Sequence, residues 1–234
     1  MRKVILGSIV IAGLLGPQLA AASLRIPPRR PPTAFVARID NPWFPLIPGT
    51  VYGYRGVKDG KRARDVLTVT HQHRRILGIR AAVIHDRLYL NGRLEERTTD
   101  WYAQDRHGDV WYLGERTATL DRHGRTISTE GSWRAGSHGA RAGIYMPAHP
   151  KPGDTGRQEY YRGHAEDQFR VVSLDAAVSS PATSSRHALL TQETTRLEPG
   201  TLDHKLYVRG MGTVREQTVQ GGNERLVLVS LKRP

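Results

Sequence analysis

The sequence predicts an all-β fold: a single antiparallel meander that closes as a barrel or a strongly curved sheet and carries one long Gly/Pro-rich loop. Runs of β-forming residues recur along the chain, tight-turn signals separate them, and no stretch shows the periodicity and caps of an amphipathic helix. About a dozen strands in one meander would leave two exposed edges unless the sheet curved back on itself.

An N-terminal segment precedes this domain. It contains Arg2 and Lys3, an apolar run and the small residues Ala20 to Ala22, the pattern of a secretory signal peptide. A membrane-spanning helix needs roughly 20 apolar residues, and this run is shorter. We therefore expect cleavage after Ala22 and no transmembrane segment in the mature chain. The predicted division is a signal peptide at 1–22, a Pro/Arg-rich tether at 23–34 and a single β domain at 35–234.

The composition describes a basic, cysteine-free protein. In 234 residues there are 35 Lys and Arg against 22 Asp and Glu, a formal net charge of +13. Without cysteine, the chain has no disulfide, no thiol nucleophile and no Cys-ligated metal site. It also lacks a phosphate-binding loop, a dinucleotide fingerprint and a nucleophile elbow. We therefore expect no cofactor, and a secreted location that is either periplasmic or extracellular.

Turn signals delimit the strands. Asp59-Gly60 and Asn91-Gly92 favour two-residue hairpin turns, and His123-Gly124 and Gly221-Gly222-Asn223 separate later strands. The predicted strands are 51–57, 62–72, 79–90, 93–104, 110–115, 116–120, 125–129, 157–161, 168–177, 187–195, 202–208, 213–219 and 225–231.

Strand 202–208 shows the alternation expected of such a wall. Leu202, Leu206 and Val208 share one face, and Lys205 and Tyr207 share the other. Successive side chains of a strand point to opposite faces, so one set faces the inside of the wall and the other set faces outside.

The long loop spans Glu130 to Gly156, and its glycines and prolines predict that it cannot sustain a strand. Trp133, Tyr145 and Met146 argue against a solvated linker, because each can bury apolar surface. We expect the loop to fold back as a plug or lid, and these side chains, with Glu130, to form part of a ligand site. The alternative is that they only cap the core.

A second aromatic group lies on two neighbouring predicted strands. Trp101 and Trp111 are each followed by a tyrosine, and either the tryptophans or the tyrosines can pair across the hairpin. Exposed, the tryptophans would be ligand-binding candidates. Buried, they would be ordinary core.

The first two hairpins are strongly basic. Their arginines are candidates for contact with an anionic partner, and the alternative is an ordinary solvated face. His71 and His73 share one face of a strand and are weak metal-ligand candidates. A third ligand would have to come from elsewhere, with His85 or Asp86 on the next hairpin as the nearest candidate, and we predict no metal site. The arginines singled out are Arg62, Arg64, Arg74 and Arg75.

The carboxylates form no catalytic pair that is local in sequence. Glu95-Glu96 and Glu166-Asp167 are adjacent residues, which point to opposite faces of a strand. Carboxylates on different strands can still converge. Glu159 with Glu166 or with Asp100 is one such combination.

Several blocks resemble an uncharacterised family of exported bacterial proteins. The blocks are NPWFPLIPGTVYGYRG (41–56), TDWYAQDRHGDVWYLGE (99–115), STEGSWRAG (128–136), AGIYMPAHPKPGD (142–154), RQEYYRGHAED (157–167) and LEPG (197–200). That family has no assigned activity, so the resemblance implies one exported domain and transfers no site residue. The opening PGT-x-Y-x-Y is also similar to cell-envelope lipoproteins built as a curved antiparallel sheet around an apolar groove.

Three functions are consistent with these observations. The first is an exported, non-catalytic β domain that binds a small apolar or aromatic ligand in the cell envelope or outside the cell. The second is a cationic surface protein that binds an anionic envelope polymer. The third is a secreted, carboxylate-dependent hydrolase. No motif predicts a specific nucleic-acid partner.

Overall fold

The computed structural model describes residues 32–234, and it is all-β. The predicted signal peptide and residues 23–31 of the predicted tether lie outside the described residues. Helical structure within 32–234 consists of one 3-10 turn, Pro32–Ala34. No helix in that range is long and apolar enough to cross a membrane.

Sixteen strands form one sheet in the part of the chain that the structure describes. They are β1 (Phe35–Val36), β2 (Val51–Lys58), β3 (Lys61–Ile76), β4 (Ile79–Leu90), β5 (Arg93–Asp105), β6 (Val110–Leu120), β7 (Thr126–Ser128), β8 (Trp133–Arg134), β9 (Arg141–Met146), β10 (Thr155–Arg157), β11 (Glu159–Tyr160), β12 (Asp167–Ser180), β13 (Thr183–Thr195), β14 (Leu202–Val208), β15 (Gly212–Gln220) and β16 (Arg225–Lys232).

The sheet is antiparallel and nearly closes as a barrel. Its strand order is β10-β12-β13-β14-β15-β16-β2-β3-β4-β5-β6-β9-β11. The two ends of this path are neighbours in sequence, because β10 pairs with β12 and β11 pairs with β9. Residues 155–160 therefore bring the two edges together, which confirms the predicted closure.

The hairpin turns confirm the dipeptide signals and add one that was missed. Asp59 and Asn91 have φ of 50° and 50°, each followed by a glycine at positive φ. Leu77-Gly78 has the same geometry, with φ of 51° and 79°, so β3 continues to Ile76 instead of ending at Gln72. A branched side chain at positive φ is rare, which is why leucine gave no turn signal.

The prediction that residues 130–156 cannot sustain a strand and form a lid is wrong. Strands β8 and β9 lie in this segment and pair with β6, so the segment is part of the wall. Gly143 of β9 makes this possible, because a Cβ there would lie 2.2 Å from the carbonyl oxygen of Arg157. The glycines that suggested a loop instead permit close packing of backbones.

One end of the barrel is filled by residues 39–50, here called the plug. The backbone N–H of Leu46 donates to the Ile39 carbonyl at 2.9 Å and closes the segment into a loop. The Asn41 amide Nδ2 donates to the carbonyls of Gly108 at 2.9 Å and Pro147 at 3.1 Å. These bonds hold Phe44 against the inner wall, where its ring centroid lies 4.6 Å from that of Tyr145.

Candidate functional site

The barrel encloses a cavity below the plug. Its atom-free space is about 1110 Å³ including the part open to solvent, and its narrow interior has room for several water molecules. Carboxylates and tyrosines dominate the lining. It consists of Phe44, Pro45, Leu46, Tyr52, Tyr54, Lys58, Asp65, Leu67, Asp86, Leu88, Glu96, Thr98, Asp100, Tyr102, Tyr112, Glu115, Tyr145, Gln158, Glu159, Asp167, Lys205, Gly212, Thr213, Glu216 and Glu224.

Tyrosines form the wall next to the plug. Tyr102 and Tyr112 stack with ring centroids 4.6 Å apart at 12°, and Tyr145 meets Tyr102 edge-on at 5.1 Å. Such offset and edge-to-face pairs are favourable ring geometries. Phe44 of the plug joins them through Tyr145. The end of the cavity beside the plug is therefore aromatic.

Four consecutive strands place carboxyl groups on the inner face: Asp65 on β3, Asp86 on β4, Glu96 and Asp100 on β5, and Glu115 on β6. The pairing register sets their spacing. Asp100 lies directly opposite Glu115, whereas Asp86 is offset by two positions from Asp65 on one side and from Asp100 on the other. Direct and diagonal cross-strand neighbours are about 4.5 to 8 Å apart, so these groups interact.

Burial raises the pKa of two of these carboxyl groups, Asp65 and Asp100. Desolvation and the neighbouring Asp86 raise the pKa of Asp65 well above its ordinary value. The pKa of Asp100 rises to about 7, chiefly by burial and then through Asp86. A hydrogen bond of 2.6 Å from the Tyr112 hydroxyl to Asp100 Oδ1 acts in the opposite direction, because it stabilises the carboxylate.

Asp65 is the most deeply buried carboxyl group of the row. It has 0% exposure, and no donor among the residues of 32–234 reaches either of its carboxyl oxygens. The neighbouring carboxyl group of Asp86 adds to the effect of burial in raising the pKa of Asp65.

Lys205 forms an ion-pair cluster on the other side of the barrel. Its Nζ lies 2.7 Å from Glu193 Oε2 and 3.9 Å from Glu216 Oε1. Hydroxyls of Tyr207 and Thr191 donate to Glu193 at 3.2 and 3.1 Å. Glu216 has fewer polar partners than Glu193, because its Oε2 is buried without a hydrogen-bond partner in the described chain. Burial raises the pKa of Glu216, although the charge of Lys205 acts in the opposite direction.

The cavity is acidic although the protein is basic. Among the described residues that line it, nine are Asp or Glu and two are Lys. The second lysine, Lys58, is matched by Glu224 at 2.7 Å in a buried pair. On strand β14, the set that faces inward is therefore the polar one, Lys205 with the fully buried Tyr207.

The predicted ligand-binding residues are divided between the cavity and the core. Tyr145 lines the cavity. Trp133 lies behind the lining and meets Tyr112 edge-on at 5.3 Å, so it supports a lining residue. Met146 is 1% exposed and pairs with Val110 in the wall, outside the lining.

The remaining predicted ligand residues lie away from the cavity. Trp101 and Trp111 are core residues, the first covered by Arg74 at 4.4 Å and the second bonded through Nε1 to Asp105 at 3.0 Å. Glu130 is exposed and lies 3.0 Å from His164.

The predicted basic residues lie on the hairpin β3–β4. Arg64 covers the ring of Tyr89 at 3.7 Å, and Arg75 donates to the Gly78 carbonyl at 3.0 Å. Arg62, Arg64 and Arg75 are exposed, and Arg74 is half-buried.

His71 and His73 on β3 are exposed, and His73 contacts Arg80 at 3.2 Å. Burial and Arg80 lower the pKa of His73. Within residues 32–234, no group of three or more His, Cys, Asp or Glu could hold a metal ion, and His71 and His73 belong to none.

Sequence reasoning missed Asp65 and Glu216, and it considered Asp86 only as a third metal ligand for His71 and His73. The available signal was alternation along the strand: Asp65, Asp86 and Glu216 each stand next to an arginine, at Arg64, Arg87 and Arg215. Alternating acids and bases on successive strands segregate charge to the two faces of a sheet. Of the converging carboxylates considered from the sequence, Asp100 and Glu159 line the cavity and Glu166 does not.

Comparison with known proteins yields two structural likenesses. No protein-family model and no curated protein sequence matches the chain. A crystal structure described as an exported protein with a YmcC-like fold from Bacteroides fragilis is 15% identical, with 82% of this chain and 99% of that chain covered and a TM-score of 0.47. One described as a lipoprotein from Parabacteroides distasonis is 11% identical, with 81% and 98% covered and a TM-score of 0.41. At these values neither likeness bears on function.

Proposed function

We propose that the barrel interior binds a small organic cation, an amine or guanidinium group carried on an aromatic or apolar body. The observation that carries the proposal is Asp65, a fully buried carboxyl group that lines the cavity and receives no hydrogen bond from another described residue. A bound cation would supply the missing donor. It would also balance the described part of the lining, in which acids outnumber lysines nine to two.

The energetics of buried charge favour this ligand class. An unpaired carboxylate in an apolar surrounding is costly, so the group either takes up a proton or is paired with a cation. Without ligand, the raised pKa values of Asp65 and Asp100 describe the first state. A ligand cation creates the second state, and its binding energy includes the relief of carboxyl repulsion.

The tyrosine end suits the apolar part of the same ligand. Tyr102, Tyr112 and Tyr145 present rings to the cavity, and ring faces attract cations as well as apolar groups. Lys205 Nζ already lies 5.8 Å from the Tyr145 ring centroid. In this proposal Tyr145 contacts the ligand, and Trp133 holds Tyr112 in place.

The proposal includes a location outside the cytoplasm. It is supported by the signal-peptide pattern of residues 1–22. The basic exterior and the absence of cysteine are compatible with an exported protein.

The test is calorimetric titration at pH 8 with three probes of one shape: phenethylamine, 2-phenylethanol and 3-phenylpropionate. The amine should bind, and the alcohol and the acid should bind at least tenfold more weakly. Asp65→Asn should weaken amine binding by about 10- to 100-fold, the value of a charge-assisted hydrogen bond. Asp175→Asn is the matched control, because that side chain is 79% exposed on the outer surface.

The proposal fails if the alcohol binds as tightly as the amine, or if Asp65→Asn and Asp175→Asn bind the amine equally. Circular dichroism of both variants shows whether they are folded. Glu216→Gln provides a second test of charge, since Glu216 belongs to a different wall of the cavity.

The row of carboxyls also favours a second candidate, acid–base hydrolysis. Asp100, with a pKa of about 7, is suited to donate a proton, and Asp86 interacts with it. Turnover of nitrophenyl glycosides or esters that is abolished by Asp100→Asn and retained by Asp175→Asn would support it. If no substrate of the panel is turned over and the amine binds, hydrolysis is refuted and the binding function is supported.

A further inference from the structure

Six adjacent strands each carry an arginine on the outer face at neighbouring register positions. The strands are consecutive in the sheet order from β16 through β2 to β6. Each arginine alternates with an inward-facing residue of the lining or core, which places it outside. We call this set the arginine stripe; it consists of Arg225, Arg55, Arg64, Arg87, Arg97 and Arg116.

The pairing register makes the stripe continuous. Arg55 is directly opposite Arg64, and Arg87 is directly opposite Arg97. Every other neighbouring pair in the stripe is offset by two positions on adjacent strands. With strands about 4.8 Å apart, the six guanidinium groups extend over about 24 Å.

The stripe is not neutralised by the protein. None of its six arginines forms an ion pair with another described residue. The carboxylates of these strands point mainly into the barrel, and Glu95, which does not, is paired with Arg93 at 2.7 Å. Like charges directly opposite each other destabilise a sheet, so the arrangement has a cost that folding alone does not explain.

The pKa of His85 is sensitive to the electrostatic potential at the arginine stripe. It lies on the outer face, and burial followed by the charges of Arg87 and Arg116 lowers its pKa. The outer surface around it therefore carries a positive potential.

The curvature of the barrel wall favours a flexible anionic partner over a planar one. Six of the thirteen strands on the sheet path occupy about half of the circumference of the nearly closed barrel. A planar membrane touches a convex wall along only a few strands, whereas a flexible chain can follow the whole stripe. Single-stranded nucleic acid needs exposed aromatic platforms, and Tyr89 beside the stripe is covered by the Arg64 guanidinium at 3.7 Å.

We propose that the arginine stripe binds a flexible, linear acidic polysaccharide. The carboxylate or sulfate groups of such a chain recur along its length and can pair with successive guanidinium groups. This surface is separate from the cavity and independent of the ligand proposed for it. Of the arginines singled out from the sequence, Arg64 is a member, and Arg62 lies beside it on the same outer face.

The experiment measures binding of the full chain to polygalacturonate by calorimetry at 50 and 200 mM salt. The triple variant Arg55→Gln, Arg64→Gln, Arg97→Gln should bind at least tenfold more weakly than the wild type and show a smaller salt dependence. The matched control is Arg122→Gln, Arg170→Gln, Arg186→Gln, which removes the same charge from exposed positions outside the stripe. The control should bind within about threefold of wild type.

Four results would overturn the proposal: equal loss in both triple variants, tighter binding to vesicles of anionic phospholipid, tighter binding to oligothymidine, or no binding to polygalacturonate at 50 mM salt. The melting temperature separates binding from structure, because removing opposed arginines should leave it unchanged or raise it. Phenethylamine binding should be the same in both triple variants, so failure of the stripe and failure of the cavity proposal are distinguishable.

Discussion

Replacement of Asp100 tests the electrostatics of the cavity through stability. The pKa of Asp100 in the folded protein is about 7, against an ordinary 3.8, so the folded state retains a proton that the unfolded state releases. The free energy of unfolding therefore falls as pH rises from about 4 to about 7. At 1.36 kcal/mol per pKa unit, this shift corresponds to about 4 kcal/mol, shared among the coupled carboxyls.

Asp100→Asn should remove most of this pH dependence. Asparagine keeps an oxygen that can accept the Tyr112 hydrogen bond and carries no charge to desolvate. Relative to wild type, the variant should gain about 3 kcal/mol in free energy of unfolding between pH 4.5 and pH 7.5. Urea unfolding at fixed ionic strength measures this difference. A difference between variant and wild type that is the same at both pH values would refute the reasoning, and Asp175→Asn serves as the exposed control.

Two further predictions concern the plug and a buried ion pair. Phe44→Ala should lower the free energy of unfolding by about 3 kcal/mol, because Phe44 is 6% exposed and packs on Tyr102 and Tyr145. A loss below about 1 kcal/mol would contradict its role as a packed plug residue. Lys58→Met should cost about 3 to 5 kcal/mol by leaving Glu224 unpaired, whereas adding Glu224→Leu should restore at least half of that loss. Urea unfolding checks both, and equal stability of the single and double variants would contradict the second.

Much of the wall could be predicted because its signals are local. Asp59-Gly60 and Asn91-Gly92 mark their hairpins through residues that tolerate positive φ. Alternation then assigns side chains to two faces. The turn at Leu77 was not predicted because leucine rarely adopts a positive φ. Closure through residues 155–160 depends on two short strands, β10 and β11, that pair with opposite edges of the sheet, and no local pattern indicates this.

The candidate site could be predicted only in part, because alternation does not say which face is inside. Lys205 and Tyr207 face inward, where Glu193 supplies a partner for each. Asp65 likewise lies inside, while its neighbour Arg64 lies outside. Polar interiors of this kind depend on partners from other parts of the chain, such as Glu224 for Lys58. Tyr145 was found because a large aromatic residue in a Gly-rich segment needs a place to pack.

The most direct test of the acidic cavity is the number of protons exchanged when phenethylamine binds. Calorimetry at pH 6.5 in two buffers of different ionisation enthalpy gives this number. A cation beside Asp65 and Asp100 stabilises their carboxylates, so binding should release protons, up to about one per ligand. Asp65→Asn should reduce both the release and the affinity. Binding of the amine with no proton release, or with proton uptake, would contradict a cavity in which the ligand replaces protons on buried carboxyl groups.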